Sequence, residues 1–239
     1  MLPFQVATMT AAKRITRSEI DVLEQLALEI FEAAYLGQYN RIGKAIQRAK
    51  PETLQQFLDE QWEEEPELVE RSVRKWYDDT AEDVGLDTIE TYGLDVKWAE
   101  VNDSLLETSA ARASWFSRAM TETSIEQTQE VIGKWLETEG QTLGMLEDTL
   151  KGVWTGPRPL AAAITETTNI VAQSEIAVGL AEGAWGYDVH TMNDDRVRPH
   201  HTATAKGGPY PISDTEHLPP IMDDINCRCF ITLVMEQPT

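Results

Sequence analysis

The chain has 239 residues, 41% of them apolar, and carries 41 acidic against 20 basic side chains, a net charge of −21. That apolar share supports a substantial core and excludes a disordered polymer. The acidic balance argues against a general nucleic-acid binder, which needs a basic footprint.

No run approaches the roughly 18 apolar residues of a membrane span. The opening "MLPFQVATMTAAKRITRSEI" has no apolar stretch of signal-peptide length ahead of a cleavage site. The expectation is a soluble protein of the cytoplasm that engages no membrane.

The first two thirds read as helix. Ser18 and Asp21 are spaced as a capping box before "IDVLEQLALEIFEAAYLG", where Leu23, Leu26, Ile30, Ala33 and Ala34 recur at helical spacing and Gly37 is the predicted stop. "PELVERSVRKWYDDTAEDVG" opens with Pro66 at a first-turn position and puts Val69, Val73, Trp76 and Tyr77 on one face. "LDTIETYGLDVKWAEVND" is irregular and reads as loop or short strand. Helix resumes over residues 104–121. Ser124 with Gln127 predicts a fresh helix start, with Thr128, Ile132, Trp135 and Leu136 on one face and Gly140 beyond. Leu143, Leu146, Leu150 and Val153 predict a further short helix. Thr155-Gly156-Pro157 then announces a long one that runs to about Gly183.

Beyond Gly183 the text turns rich in Pro, Gly and Asp. "YDVHTM" and "CRCFITLVM" have strand composition and bracket some thirty turn-rich residues, with Gly207-Gly208-Pro209 as one turn. The expected fold class is therefore mainly α, a helical body followed by a small C-terminal β-containing module (α+β). The expected division is a helical region 1–103, a second helical part 104–183 and a β module 184–239.

All four histidines, His190, His200, His201 and His217, lie in this last quarter, as do both cysteines, Cys227 and Cys229. Two thiols separated by one arginine cannot form a disulfide framework. C-x-C also lacks the C-x-x-C spacing and following helix of a thioredoxin-like redox site. Zinc prefers thiolate and imidazole, and a small module with little core gains from such a staple. On that reading Cys227, Cys229 and His201 are ligands and the fourth comes from Asp194, His190, His200 or His217. The competing reading is that both thiols are packing groups, with Arg228 pointing outward into a salt bridge.

"TMNDDRVRPHH" followed by a glycine turn, "LPP" and "NCRC" resembles the signature of the phage head morphogenesis family, the Mu F-like minor capsid proteins. Thr191, Asp194, Arg196, Val197, Arg198 and His201 match its first block in spacing. Pro219, Pro220, Asn226, Cys227, Arg228 and Cys229 match its second. Ile164, Thr165 and Glu166 resemble the Thr-Glu helix that precedes it, although the Ile–Thr spacing is shorter and Val189 stands where an aromatic is usual. The resemblance spans about residues 120–235. It implies a non-enzymatic minor head protein acting in procapsid assembly or genome delivery, in contact with the portal protein and with major capsid or scaffold subunits. The place it implies is the host cytoplasm during assembly and then the virion head.

Read without the resemblance, Asp194 with Arg196, and Asp195 and Arg198 with neighbours, predict a turn held by hydrogen bonds. A rival chemistry is a metal-dependent nuclease or toxin-like enzyme in which His200 and His201 beside Asp194 and Asp195 hold a metal-bound water. No G-x-S-x-G is present.

Overall fold

The computed structural model describes residues 17–48, 54–140, 142–221 and 224–238. Among them are seven helices, α1 (Arg17–Arg48), α2 (Leu54–Trp62), α3 (Glu65–Tyr92), α4 (Trp98–Glu137), α5 (Leu143–Thr155), α6 (Arg158–Glu182) and α7 (Pro199–Gly207), and three strands, β1 (Gly186–His190), β2 (Tyr210–Pro211) and β3 (Phe230–Val234). The mainly-α body with a small C-terminal β module is thus the architecture of the chain. No helix among the described residues is long and apolar enough to cross a membrane.

The helices are longer than local signals predict, because packing outweighs propensity. α1 runs past Gly37 to Arg48, since Ile42, Ala45 and Ile46 continue its buried face. That face is Ala27, Phe31, Ala34, Tyr35, Gln38 and Ile42, whereas Leu26 is 52% exposed. The predicted stripe was therefore rotated. The Ser18 and Leu143 side chains lie outside the described residues.

The stretch 86–103 is neither loop nor strand for most of its length. It ends α3, turns over five residues (93–97) and begins α4. Gly85 lies inside α3 rather than at its end. A Cβ there would approach Leu105 Cδ1 and Trp98 Cζ3 to 2.8 Å, so the missing side chain lets α3 and α4 close together. Ser124 does not start a helix either. It lies in mid-α4, its hydroxyl donating to the Met120 carbonyl at 2.8 Å and accepting from Arg158 Nη2 at 3.2 Å. Leu136 is 64% exposed, off the face that buries Thr128 and Ile132.

The main core is an aromatic nest. Phe31 meets Trp76 and Phe116 edge-on at centroid separations of 5.2 and 4.8 Å, a favoured ring geometry. α6 is the common spine. Its Ala163 and Ile170 enter this core, while Ala172 and Ile176 enter a second one with Tyr187, Val189, Leu218, Ile221, Cys227, Cys229 and Ile231. A Cβ at Gly179 would come within 2.7 Å of Leu233 Cδ2, so α6 and β3 approach as closely as glycine allows.

The sheet order is β2-β1-β3, both pairings antiparallel, with Gly186 opposite Val234 and His190 opposite Phe230. The two predicted strands therefore pair directly. β3 begins at Phe230, so the cysteines precede it rather than lying within it. α7, opened by Pro199, occupies part of what reads as loop. The sequence division at 103/104 falls inside α4.

Candidate metal centre

His201 is carried on the first turn of α7 and is 3% exposed, whereas both its neighbours, His200 and Thr202, are half-buried. Its two ring nitrogens face different chemistry. Nε2 lies 2.9 Å from Asp224 Oδ2, while Nδ1 lies 3.3 Å from Cys229 Sγ and 3.8 Å from Cys227 Sγ. A carboxylate at Nε2 fixes the tautomer with the proton there and leaves the Nδ1 lone pair facing the thiols. Burial, the largest influence, pushes the imidazole below its ordinary value and outweighs the opposing pull of Asp224, so the ring is neutral as a ligand must be.

The two thiols and Nδ1 lie within 4.8 Å of one another. A tetrahedral zinc with bonds of about 2.3 Å to sulfur and about 2.05 Å to nitrogen would separate S and N by about 3.6 Å. The two observed separations straddle that value. The thiols also compete for one proton. Cys227 is drawn down to about 7, chiefly by the hydrogen bond from Cys229, while the same contact and burial push Cys229 up. Both cysteines are free and buried. A His/Cys/Cys cluster able to hold a metal ion is thus present.

None of the expected fourth ligands belongs to the cluster of Cys227, Cys229 and His201. Asp194 Oδ1 accepts from the Arg196 N–H at 3.0 Å and its Oδ2 from Arg196 Nη2 at 2.9 Å, which closes a turn, and Asp194 is not part of the cluster. Thr191 Oγ1 donates to Asn193 Oδ1 at 3.1 Å beside that turn. His190 Nε2 meets Thr232 Oγ1 at 2.8 Å with its ring stacked on Phe230. His217 stacks on Tyr210 at 4.1 Å and bonds Asp214. His200 turns to Asp224 Oδ2 at 2.6 Å, so a second potential donor group is His200, His201 and Asp224. The acid at the paired histidines is Asp224, not Asp194 or Asp195. Burial pushes Asp224 up, but hydrogen bonds from His201 and His200 with the Arg198 charge hold it below the ordinary carboxylate value.

The loop that bears the cysteines is pinned from four sides. Asp224–Cys227 forms a turn, Cys227 N–H donating to the Asp224 carbonyl at 3.2 Å. Asn226 sits at its third position with φ 63°, a conformation that asparagine tolerates better than most residues. The Asn226 N–H donates to Thr165 Oγ1 at 3.0 Å, and Thr168 Oγ1 donates to the Cys227 carbonyl at 2.6 Å. Arg198 Nη2 donates to the Ile225 carbonyl at 2.9 Å, and its Nη1 lies 3.4 Å from Asp224 Oδ2. Arg228 reaches back to α1, its Nε donating to Glu24 Oε1 at 2.7 Å and its Nη2 to Asp21 Oδ1 at 2.6 Å and to Glu24 Oε2. Pro220 is buried beside the loop in a cis Pro219–Pro220 step.

Glu166 serves a different place. It is 3% exposed in the helical core, where Arg112 donates to it twice, at 2.7 and 2.8 Å, and Tyr77 OH once, at 2.8 Å. Sequence reasoning missed Asp224, Thr168, Arg112 and the α1 acids. Two were signposted, since Asp224 lies three residues before Cys227 and Thr168 one helical turn beyond Thr165. Asp21, Glu24 and Arg112 left no local signal. Comparison with family models, curated proteins and solved structures gave no match for this chain.

Proposed function

We propose that this chain is a phage minor head protein of the head morphogenesis type, acting in procapsid assembly or genome delivery through contact with the portal and neighbouring capsid or scaffold subunits. Its C-terminal module is stapled by zinc on Cys227, Cys229 and His201. One observation carries the reading. The residues that resemble the family signature are spent on holding one another. Thr165, Arg198, Asn226 and Arg228 fasten the loop, Asp194 and Arg196 close a turn, and His201 faces the thiols. Such an arrangement suits a rigid adaptor better than a catalyst.

The nuclease reading draws on His200, His201 and Asp224, but Asp224 is already engaged by both imidazoles and by Arg198. The net charge of −21 also repels a polyanion. Procapsids isolated from the producing phage should contain the chain in few copies, and purified portal should retain it on a column. Absence from procapsids, or DNA turnover by pure protein that His200→Ala or His201→Ala abolishes, overturns the proposal.

A further inference from the structure

We infer that the zinc centre has three protein ligands among the described residues, and that its fourth position opens into a cavity where it takes a monodentate oxyanion, a carboxylate or phosphate oxygen. The inference rests on the zinc reading of Cys227, Cys229 and His201 above. A closed structural zinc site supplies four protein donors, whereas a site with three keeps an exchangeable position. Among the described residues the thiol cluster contains three donors. Two of the candidates for a fourth are committed, Asp194 to Arg196 through both oxygens and His200 to Asp224 through Nε2.

Among the described residues the open side is not packed. A cavity of about 390 Å³ is lined by His201 and Cys229 together with Asp194, Arg196, Arg198 and Arg228. A zinc ion bound by two thiolates and a neutral imidazole carries no net charge, so an added anion leaves the centre at −1. Arg196 and Arg198 bring positive charge to the cavity and N–H donors suited to oxyanions, whereas the Arg228 guanidinium is held by Asp21 and Glu24. Arg196 is the most accessible of them, with its side chain 61% exposed. Among the described residues the carboxylates and imidazoles at the centre are all engaged, which favours binding at this position over turnover.

Cobalt(II) loaded in place of zinc reports on both levels. Its thiolate-to-cobalt charge-transfer band shows that the thiols bind metal, and its visible ligand-field bands report the fourth ligand. Wild type, Asp194→Ala and His200→Ala should give the same ligand-field spectrum in anion-free buffer. Acetate and inorganic phosphate, titrated separately, should shift the bands saturably, and the tighter of the two identifies the source. Arg196→Gln should weaken that binding about tenfold or more through loss of a charge-assisted hydrogen bond.

Bands that neither anion moves, or that Asp194→Ala or His200→Ala alone changes, overturn the open position while leaving the zinc reading intact. Unchanged anion affinity in Arg196→Gln overturns the placement of the anion in this cavity. Absence of the charge-transfer band overturns the zinc reading itself, and the open position falls with it.

Discussion

Replacing Arg112 with Met removes a charge from the helical core while keeping most of its stem. Glu166 then loses two of its three hydrogen bonds, those at 2.7 and 2.8 Å, and retains only Tyr77 OH. Stranding one member of a buried ion pair costs about 3–5 kcal/mol. Arg112 is 17% exposed on its side chain against 5% for Glu166, so water reaches one side of the pair and the lower end applies, about 3 kcal/mol. The contact of Arg112 with the Trp115 ring, 4.1 Å from the centroid, is partly solvated and adds less than about 1 kcal/mol. At this chain length the sum should lower the thermal midpoint by about 6–12 °C. Urea unfolding followed by circular dichroism measures it. The triple variant Arg112→Met, Glu166→Met, Tyr77→Phe removes every group that needs a partner, and should recover to within about 2 kcal/mol of wild type. A loss below 1 kcal/mol in Arg112→Met, or a triple variant no better than the single one, refutes the reasoning.

Arg228→Ala should cost about 2–3 kcal/mol, because Glu24 is 7% exposed and would be left without its guanidinium; Arg228→Lys should recover less than half, since an ammonium cannot span both acids in urea melts of the three proteins. On the proposed zinc reading, a strong chelator should lower the midpoint of wild type by about 10 °C in calorimetry and leave Cys229→Ser nearly unmoved, on the basis of mass-action stabilisation of about 4 kcal/mol. Glu175 is raised well above its ordinary value by burial and by the Asp87 charge, and its Oε2 has no partner among the described residues. The folded state therefore keeps a proton that the unfolded chain releases once the pH passes the ordinary carboxylate range, so stability falls as pH rises from there. Glu175→Gln should accordingly raise the midpoint at pH 7–8 and leave it unchanged near pH 4, and equal effects at the two pH values would contradict this.

The α+β division was legible because the switch from a 3.6-residue period to Pro- and Gly-rich text is a composition change that no packing conceals. Pairing of β1 with β3 was legible for a similar reason, as two β-branched runs bracket a turn-rich segment, whereas the two-residue β2 that pairs with the other edge of β1 left no such run. Helix ends were not. Gly37, Gly85 and Ser124 each carry a local stop or start signal, and each is overridden by contacts made with residues far along the chain. His201 and the two thiols could be read as one cluster because zinc chemistry restricts the choice of donors. Their partners could not. Asp194 looks like a ligand in sequence, yet local geometry ties it to Arg196 two residues on, whereas Asp224 is set facing His201 by the loop's own turn.

The spacing of the cysteines follows from strand geometry. In an extended chain alternate side chains point to opposite faces. The pattern of β3, half-buried Phe230, buried Ile231, half-buried Thr232 and buried Leu233, continues backward into the loop as buried Cys229, half-buried Arg228 and buried Cys227. Two residues apart is therefore the spacing that sets both thiols on the core face, toward His201. A one-residue insertion, giving the commoner C-x-x-C, would turn one of them outward here. The same alternation sends Arg228 to the opposite face, where Asp21 and Glu24 of α1 receive it. Loss of the metal would free the loop's inner face and loss of α1 its outer one, so each contact steadies the other through a backbone of three residues. That coupling makes a specific demand on the Arg228→Ala variant, which should bind cobalt more weakly than wild type although Arg228 touches no metal ligand. Equal cobalt affinity in the two proteins would show that the loop is rigid without α1, held by Thr165, Thr168 and Arg198 alone.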